Sequence, residues 1–177
     1  MFMKNKRRRF LLFVFDVNCK INKNIKSRNF PYKIEEFMPS LFKLKLSRYD
    51  GLRDFLIHLL FYLSTRGRYR IIYVKDNNKI IHYSYIIPKN FRFQHMSHKN
   101  SFQIGPCFTD EFYRGQVIYS YVLTYIIERF SDKGRRFYMI VDEKNFSSQR
   151  GIIKAGFIEA GIVYKDILGI YKRESRQ

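Results

Sequence analysis

The sequence predicts a mixed α/β (α+β) single domain, and three observations lead there. Apolar residues recur at the helical period in two stretches, Leu52 to Leu63 and Val117 to Ile126. Two β-rich runs, Tyr69 to Val74 and Lys79 to Ile87, flank the turn signal Asp76-Asn77-Asn78 and read as a hairpin. The apolar run Phe137-Tyr-Met-Ile-Val141 meets a polar break at Asp142 to Asn145, then a short amphipathic stretch that ends in Ala155-Gly156-Phe157.

Taken in order, residues 1–9 form a basic arm, Lys4-Asn-Lys-Arg-Arg-Arg9 at its centre. Arg9 to Val17 is rich in Phe, Leu and Val and reads as the first strand. The arm and strand imitate a signal peptide, but the apolar run is short and Asp16 and Asn18 stop it without a small-residue cleavage site. Cys19 to Ser47 is charged and Asn-rich, with Pro31 and Pro39, and reads as loop with short helical pieces. A helix opens at Asp50-Gly-Leu-Arg; Leu52, Phe55, Leu56, Leu59, Leu60 and Leu63 recur at its period, and Gly67 follows its end. After the hairpin, Pro88 to Lys99 is a polar and aromatic loop. Ser101 to Thr109 is a strand interrupted at Gly105-Pro106, because proline offers no N–H to a ladder. Asp110 to Gly115 is a loop and Val117 to Phe130 an amphipathic helix with Val117, Ile118, Tyr121, Val122, Tyr125 and Ile126 on one face. The Phe137 strand, the Phe146 helix and strands Phe157 to Tyr164 and Ile167 to Lys172 complete the order β, helical region, βββ, α, β, α, ββ.

Composition narrows the function. The chain has 177 residues, 46% of them hydrophobic and 18% aromatic, so it buries a core and is not disordered. It carries 34 Lys and Arg against 15 Asp and Glu, a formal net charge of +19. Two readings stand. One is a polyanionic partner: nucleic acid, an anionic membrane surface or a phosphorylated small molecule. The other is a generally basic proteome, since the charge is spread along the whole chain. Cys19 and Cys107 make neither a disulfide framework nor a metal site, and His58, His82, His95 and His98 show no zinc spacing with them. A reducing cytoplasm is the simplest compartment, and no segment is long enough to cross a bilayer.

Two segments carry chemistry. In Ile104-Gly-Pro-Cys-Phe-Thr109-Asp-Glu-Phe-Tyr-Arg114-Gly-Gln-Val-Ile-Tyr119 a strand runs through a loop into a helix, which aims free backbone N–H groups and the positive helix end at one point and suits a pyrophosphate. In Val141 to Phe157 a strand, Asn145, a helix and Gly156-Phe157 follow one another. The second segment resembles motif B of the GNAT superfamily of CoA-dependent N-acyltransferases, and the first resembles its motif A, with Arg114 in the place of the leading Arg or Gln. Val117 and Tyr119 stand where that motif has small residues. The resemblance implies a central, mixed, mostly antiparallel sheet with helices on both faces and two splayed central strands that admit the pantetheine arm. Gly105-Pro106 either loosens the pairing near that gap or makes a simple bulge.

The resemblance also implies site residues. Phe108, Thr109, Arg114, Gly115, Gln116, Val117 and Ile118 would hold acetyl-CoA or another acyl-CoA, with Asn145 bonding the pantetheine amides and Ser148 beside them. Asn145 also suits a plain helix N-cap. The Thr109 backbone N–H matches the position that polarises the thioester carbonyl. Many members carry a tyrosine acid seven residues after the motif-B asparagine; here that residue is Ile152. Tyr119 and Tyr121 are the candidate substitutes. Gln103, Gly105 and Cys107 offer no convincing base, and Cys107 reads as packing. His82, mid-strand in Ile80-Ile-His-Tyr-Ser-Tyr85, is either the general base or a satisfied core histidine. His95 and His98 read as substrate contacts or plain surface.

His82-Tyr-Ser-Tyr, Pro88-Lys-Asn-Phe-Arg-Phe and Ile104-Gly-Pro-Cys-Phe-Thr resemble GNAT proteins of bacterial surface-polysaccharide pathways. That implies acylation of the amine of a nucleotide-linked amino-deoxysugar, with the loop after Pro88 stacking a base and holding a diphosphate. Acylation of an aminoacyl-tRNA is the second reading, favoured by the charge. A non-catalytic basic module for nucleic acid or membrane is the third, and a protein or antibiotic amine the fourth. The oligomeric state stays open, a homodimer included.

Overall fold

The computed structural model describes residues 8–16, 19, 25, 30–40, 52–90, 92–131 and 135–174. Among these, eight strands form one mixed sheet in the order β2-β3-β4-β5-β6-β1-β7-β8. They are β1 (Arg8–Phe15), β2 (Lys33–Phe37), β3 (Arg70–Asp76), β4 (Lys79–Pro88), β5 (Ser101–Thr109), β6 (Arg136–Asp142), β7 (Ile158–Lys165) and β8 (Tyr171–Arg173). Three helices accompany them: α1 (Leu52–Thr65), α2 (Ile118–Phe130) and α3 (Phe146–Lys154). Among the described residues every pair of neighbouring strands is antiparallel except β5 with β6. The mixed, mostly antiparallel sheet agrees with the expected class.

The first strand is an internal one. β1 lies between β6 and β7, with Phe13 opposite Met139 on one side and Glu159 on the other. Its alternation splits the core in two. Phe13 and Phe15 face the cluster built on Ile118, Val122 and Ile126 of α2 and Ile152 and Ala155 of α3. Leu12 faces the second cluster, with Tyr69, Ile71, Phe93, Met96 and Tyr138. Helices therefore cover both faces: α2 and α3 on the first, α1 on the second through Phe61 and Tyr62.

Four sequence expectations need correction. The region Cys19 to Ser47, expected as loop with helical pieces, contains β2. Its charges hid it: Glu35 bonds Tyr73 and Lys75, and Glu36 pairs with Arg70, so an edge strand with a charged sequence is held by cross-strand partners. Three of the periodic leucines of α1, Leu56, Leu60 and Leu63, are exposed, whereas His58 and Thr65 are buried. His58 decides this, accepting or donating at Nδ1 with the Tyr69 hydroxyl (3.0 Å) and at Nε2 with the Tyr85 hydroxyl (3.1 Å). The loop after Pro88 is not an open aromatic surface, because Phe93, His95 and Met96 are buried beneath it. The last strand is only Tyr171–Arg173, since Asp166 accepts the amides of Leu168 and Ile170 and turns the chain there. Asp50 and Val17 lie outside the described residues.

Phe13 bridges two strands from a fully buried position, so Phe13→Ala should cost about 3–5 kcal/mol in chemical denaturation. A loss under about 1 kcal/mol would show that β1 is not an internal strand.

Candidate active site

β5 and β6 pair in parallel only at Ser101–Arg136, Phe102–Phe137 and Gln103–Tyr138. Beyond that point each follows its other neighbour. Met139 to Asp142 of β6 pair with β1, and Cys107 to Thr109 of β5 pair with β4. The two central strands splay, as expected. Gly105-Pro106 faces the other way: two residues oppose Tyr85 alone, between the pairs Ser84–Cys107 and Ile86–Ile104, so the simple bulge is what occurs there.

A cavity of about 660 Å³ fills the opened end. Cys107, Phe108 and Thr109 line it from β5; Tyr113, Arg114, Gly115 and Val117 from the loop; Ile118, Tyr119 and Ser120 from α2; Asn145, Ser147, Ser148, Arg150, Gly151 and Lys154 from α3 and its cap. The loop is shaped for an anion. Gly115 has φ 81° and Val117 φ 68°, two left-handed residues in three, and turns that carry left-handed residues are the kind that gather backbone N–H groups around an anion. For a β-branched residue that conformation costs about 1–3 kcal/mol. Val117 thus adopts the backbone that a glycine would hold at this place. The first-turn amides of α2 follow directly and have no intrahelical acceptor.

The charge is one-sided. Arg114, Arg150 and Lys154 line the cavity, and no Asp or Glu is among the lining residues. Two carboxylates that flank the lining segments are occupied: Asp110 by Lys79 (2.8 Å), which holds its carboxyl below the usual range, and Asp142 by Arg8 (2.7 Å). Arg114 is anchored through Nε to the Thr109 carbonyl (3.1 Å). Asn145 caps α3, accepting from the Ser148 amide (3.1 Å) and the Ser147 hydroxyl (3.0 Å). Its plain capping role and its place on the cavity wall coexist.

Behind the cavity runs a buried polar chain. The Tyr119 hydroxyl is paired with Cys107 Sγ. Ser84 Oγ donates to that sulfur (3.2 Å), His82 Nε2 lies 2.9 Å from Ser84 Oγ, and His82 Nδ1 lies 2.7 Å from Thr109 Oγ1. With the serine proton committed to sulfur, the consistent tautomer has Nε2–H donating to serine and Nδ1 accepting from threonine. Burial pushes the Cys107 thiol up to about 11 and the Tyr119 phenol well above its ordinary value. It pushes His82 down to about 3.

Several expected residues stand elsewhere. His82 does not line the cavity; it is fully buried with both nitrogens bonded. Tyr121 points away and stacks on Phe30 (centroids 3.9 Å). Gln116 turns its side chain to the Tyr32 hydroxyl (2.8 Å), and with Tyr121 it lines a second, smaller cavity of about 250 Å³. His95 is buried and bonded to Gln103, its imidazole pushed down to about 4 by burial, so it is no surface contact. Ile152 is 1% exposed and belongs to the core, so its position does not face the cavity. Gly151 does, and the Tyr119 ring fills the space that a side chain there would take: a Cβ at Gly151 would lie 2.6 Å from Tyr119 Cδ1.

Arg150, Lys154, Ser147 and Gly151 were not anticipated. Their signal was readable once Asn145 was taken as the cap, since 147, 150, 151 and 154 share one helical face.

A splayed parallel pair, an anion loop opening a helix and a capped helix across the gap can be compared with solved structures. The chain has the GNAT fold. A GNAT-family acetyltransferase from Colwellia psychrerythraea matches with a TM-score of 0.53 at 15% identity, over 88% of this chain and 53% of that one. A GCN5-related N-acetyltransferase-like protein from Streptococcus suis matches at 0.53 and 12%, over 90% and 61%. A conserved protein of unknown function from Staphylococcus epidermidis matches at 0.56 and 13%, over 87% and 58%. The chain thus spans little more than half the length of these structures. No protein-family model and no curated protein matches the sequence. In this GNAT fold no helix among the described residues is long and apolar enough to cross a membrane.

Two outcomes are expected. An unfolded histidine takes a proton near 6.5, whereas folded His82 resists it down to about 3, so the unfolded state binds more protons in that window. Stability should fall as pH drops from about 6.5, by up to ~1.4 kcal/mol per pH unit for one such group. His82→Asn should remove that share of the slope in urea melts between pH 7 and 4.5; an unchanged slope would refute the buried neutral imidazole. Gly151→Ala should destabilise the protein or displace Tyr119. Helix propensity alone predicts a gain of about 1 kcal/mol, so a rise in melting temperature would overturn the close contact.

Proposed function

We propose that the protein is an acyl-CoA-dependent N-acyltransferase. The observation that carries this reading is the gap between β5 and β6 ending in a cavity with three cations and no carboxylate. That lining fits a donor with a pyrophosphate and a further phosphate, as CoA has. The loop Arg114 to Ile118 holds the pyrophosphate; Arg150 and Lys154, one turn apart on α3, take the remaining phosphate. Asn145 and Ser148 bond the pantetheine arm, which lies against the unpaired edge of β5. When bound, the donor supplies an activated thioester.

The acceptor nitrogen attacks the carbonyl carbon while the Thr109 N–H polarises the oxygen. The C–S bond breaks, the nitrogen sheds one proton, and the departing thiolate gains one. Tyr119 gives the thiolate that proton, its hydroxyl turning from Cys107 Sγ into the cavity that its ring lines. It takes the role left vacant at Ile152, reaching the cavity from α2 over Gly151. It recovers a proton from the acceptor ammonium directly or through water. His82 is not the base, because a neutral imidazole bonded at both nitrogens offers no free lone pair; it positions Thr109 instead.

The acceptor favoured by the sequence is the amine of a nucleotide-linked amino-deoxysugar. The resemblance of the segments at His82 and Ile104 to GNAT proteins of surface-polysaccharide pathways supports it. An aminoacyl-tRNA is the second reading, supported by the net charge of +19.

Acetyl-CoA at a hundred times its dissociation constant should stabilise the protein by about 2.7 kcal/mol, read as a rise in melting temperature. Arg114→Ala and Lys154→Ala should shrink the rise, and dephospho-CoA should give a smaller one than CoA. Tyr119→Phe should leave the shift intact and lower kcat roughly a hundredfold. No shift with any acyl-CoA would sink the donor assignment; full turnover by Tyr119→Phe would remove the acid.

A further inference from the structure

Ile167 is the most exposed large apolar side chain among the described residues, at 91%, and Leu168 beside it is 75% exposed. They stand together at the tip of the β7–β8 hairpin. The turn does not ask for them. Asp166 closes it: its carboxylate accepts the amides of Leu168 (3.0 Å) and Ile170 (2.9 Å), and its carbonyl accepts that of Gly169 (3.0 Å). Gly169 supplies the left-handed step at φ 74°. Asp and Gly satisfy the turn between them, and the two positions they leave open ordinarily take polar residues. Here those positions hold two aliphatic side chains out into solvent, at a cost that a covering surface would recover.

Cations surround the tip. Lys165, the last residue of β7, is exposed and lies over the Tyr171 ring (5.7 Å). It sits opposite Arg8 of β1, whose guanidinium covers the Phe10 ring (5.3 Å) and reaches Asp142 (2.7 Å). Arg92 arrives from the loop after β4. Its carbonyl accepts the Tyr171 amide (2.9 Å), and its guanidinium stands 3.1 Å from where a Cβ on Gly169 would be. Lys165 Cε lies 3.7 Å from the same point, so both side chains flank the turn. Burial raises the Tyr171 phenol, and Arg92 and Arg8 draw it back, as nearby cations do. Lys172 stands on the other arm of the hairpin and is paired with Asp166 (3.3 Å). Asp166 is the acid of the turn, and its charge is spent on that lysine and on the turn's own amides.

Two aliphatic side chains ringed by cations suit one kind of surface. Nucleic acid would use the cations and leave Ile167 and Leu168 in water. A purely apolar groove would take the pair and leave the cations in water. A bilayer with anionic headgroups answers both. The acyl-chain boundary takes the aliphatic tip, and the long stems of Lys and Arg let their charges stay at headgroup level. We propose that the β7–β8 tip docks the protein on an anionic membrane surface, with Ile167 and Leu168 entering the acyl-chain boundary and Arg8, Arg92, Lys165 and Lys172 meeting the headgroups. None of these residues lines the donor cavity, so docking and acyl-CoA binding are separable.

The test uses the full chain and co-sedimentation with vesicles, one set of phosphatidylcholine alone and one an equal mixture of phosphatidylcholine and phosphatidylglycerol. Preferential binding to the mixed vesicles supports the tip if two double variants weaken it. Ile167→Ser with Leu168→Ser should do so on the order of tenfold or more, and Arg92→Ala with Lys165→Ala severalfold. The chain has no tryptophan, so Leu168→Trp places a single reporter at the tip. Its emission should move to shorter wavelength on mixed vesicles and be quenched by bromine-labelled lipid. That reporter keeps the tip apolar, so it decides the matter if either double variant unfolds. An unmoved emission, no vesicle binding, or equal binding by wild type and the double variant at 167 and 168 overturns the proposal. Tighter binding of an oligoribonucleotide, indifferent to the change at 167 and 168, overturns it in favour of nucleic acid. Lipid-free dimers that the same change dissolves overturn it in favour of a second copy of this chain.

Discussion

The structure turns on the place where β5 and β6 stop pairing. Past Gln103 and Tyr138 the two central strands leave each other, and neither is left loose. β6 is claimed by β1 over six residue pairs, from Phe15–Phe137 to Phe10–Asp142. β5 is claimed by β4 as far as Thr109. A sheet cannot keep all three pairings when its strands twist apart, and here the parallel one yields, consistent with the slightly weaker pairing of parallel strands. The opened edges expose backbone donors and acceptors in mid-sheet, which is costly unless a ligand or water pairs them.

Everything else in the site is arranged around that gap. The loop after β5 turns twice through left-handed residues, Gly115 and Val117, and with the start of α2 lines the opening. α3 is capped by Asn145 at the far lip and lays Arg150, Lys154, Ser148 and Gly151 along it. The Tyr119 ring crosses from one helix to the other because position 151 has no side chain. Val117 keeps its left-handed conformation on the wall of this cavity, and strained residues gather at such sites.

Two buried histidines organise the two faces of the sheet in the same way. His82 ties Thr109 to Ser84 and, through it, to Cys107 under the cavity. His58 ties α1 to Tyr69 and Tyr85 on the opposite face. Each is held with both nitrogens partnered, so burial carries no penalty of an orphaned polar atom. His95 is the exception, with Nδ1 unpartnered and buried. These polar pins locate the aromatic rings around them.

Local pattern alone determined a good deal. The helical period marked α2, the Asn turn marked the β3–β4 hairpin, and Asn145 with Gly156-Phe157 marked both ends of α3. These are short-range matters of period, capping and turn chemistry, and they are written in neighbouring residues. Tertiary structure decided what each face meets. It placed β1 between β6 and β7, drew the charged β2 into the sheet, and turned Leu56, Leu60 and Leu63 of α1 outward while burying His58. It separated Tyr119 from Tyr121, although two positions divide them, because 100° per residue on a helix sends one ring into the cavity and the other onto Phe30. A period says which residues share a face; only the packed partner, far away in sequence, says whether that face is core, solvent or site.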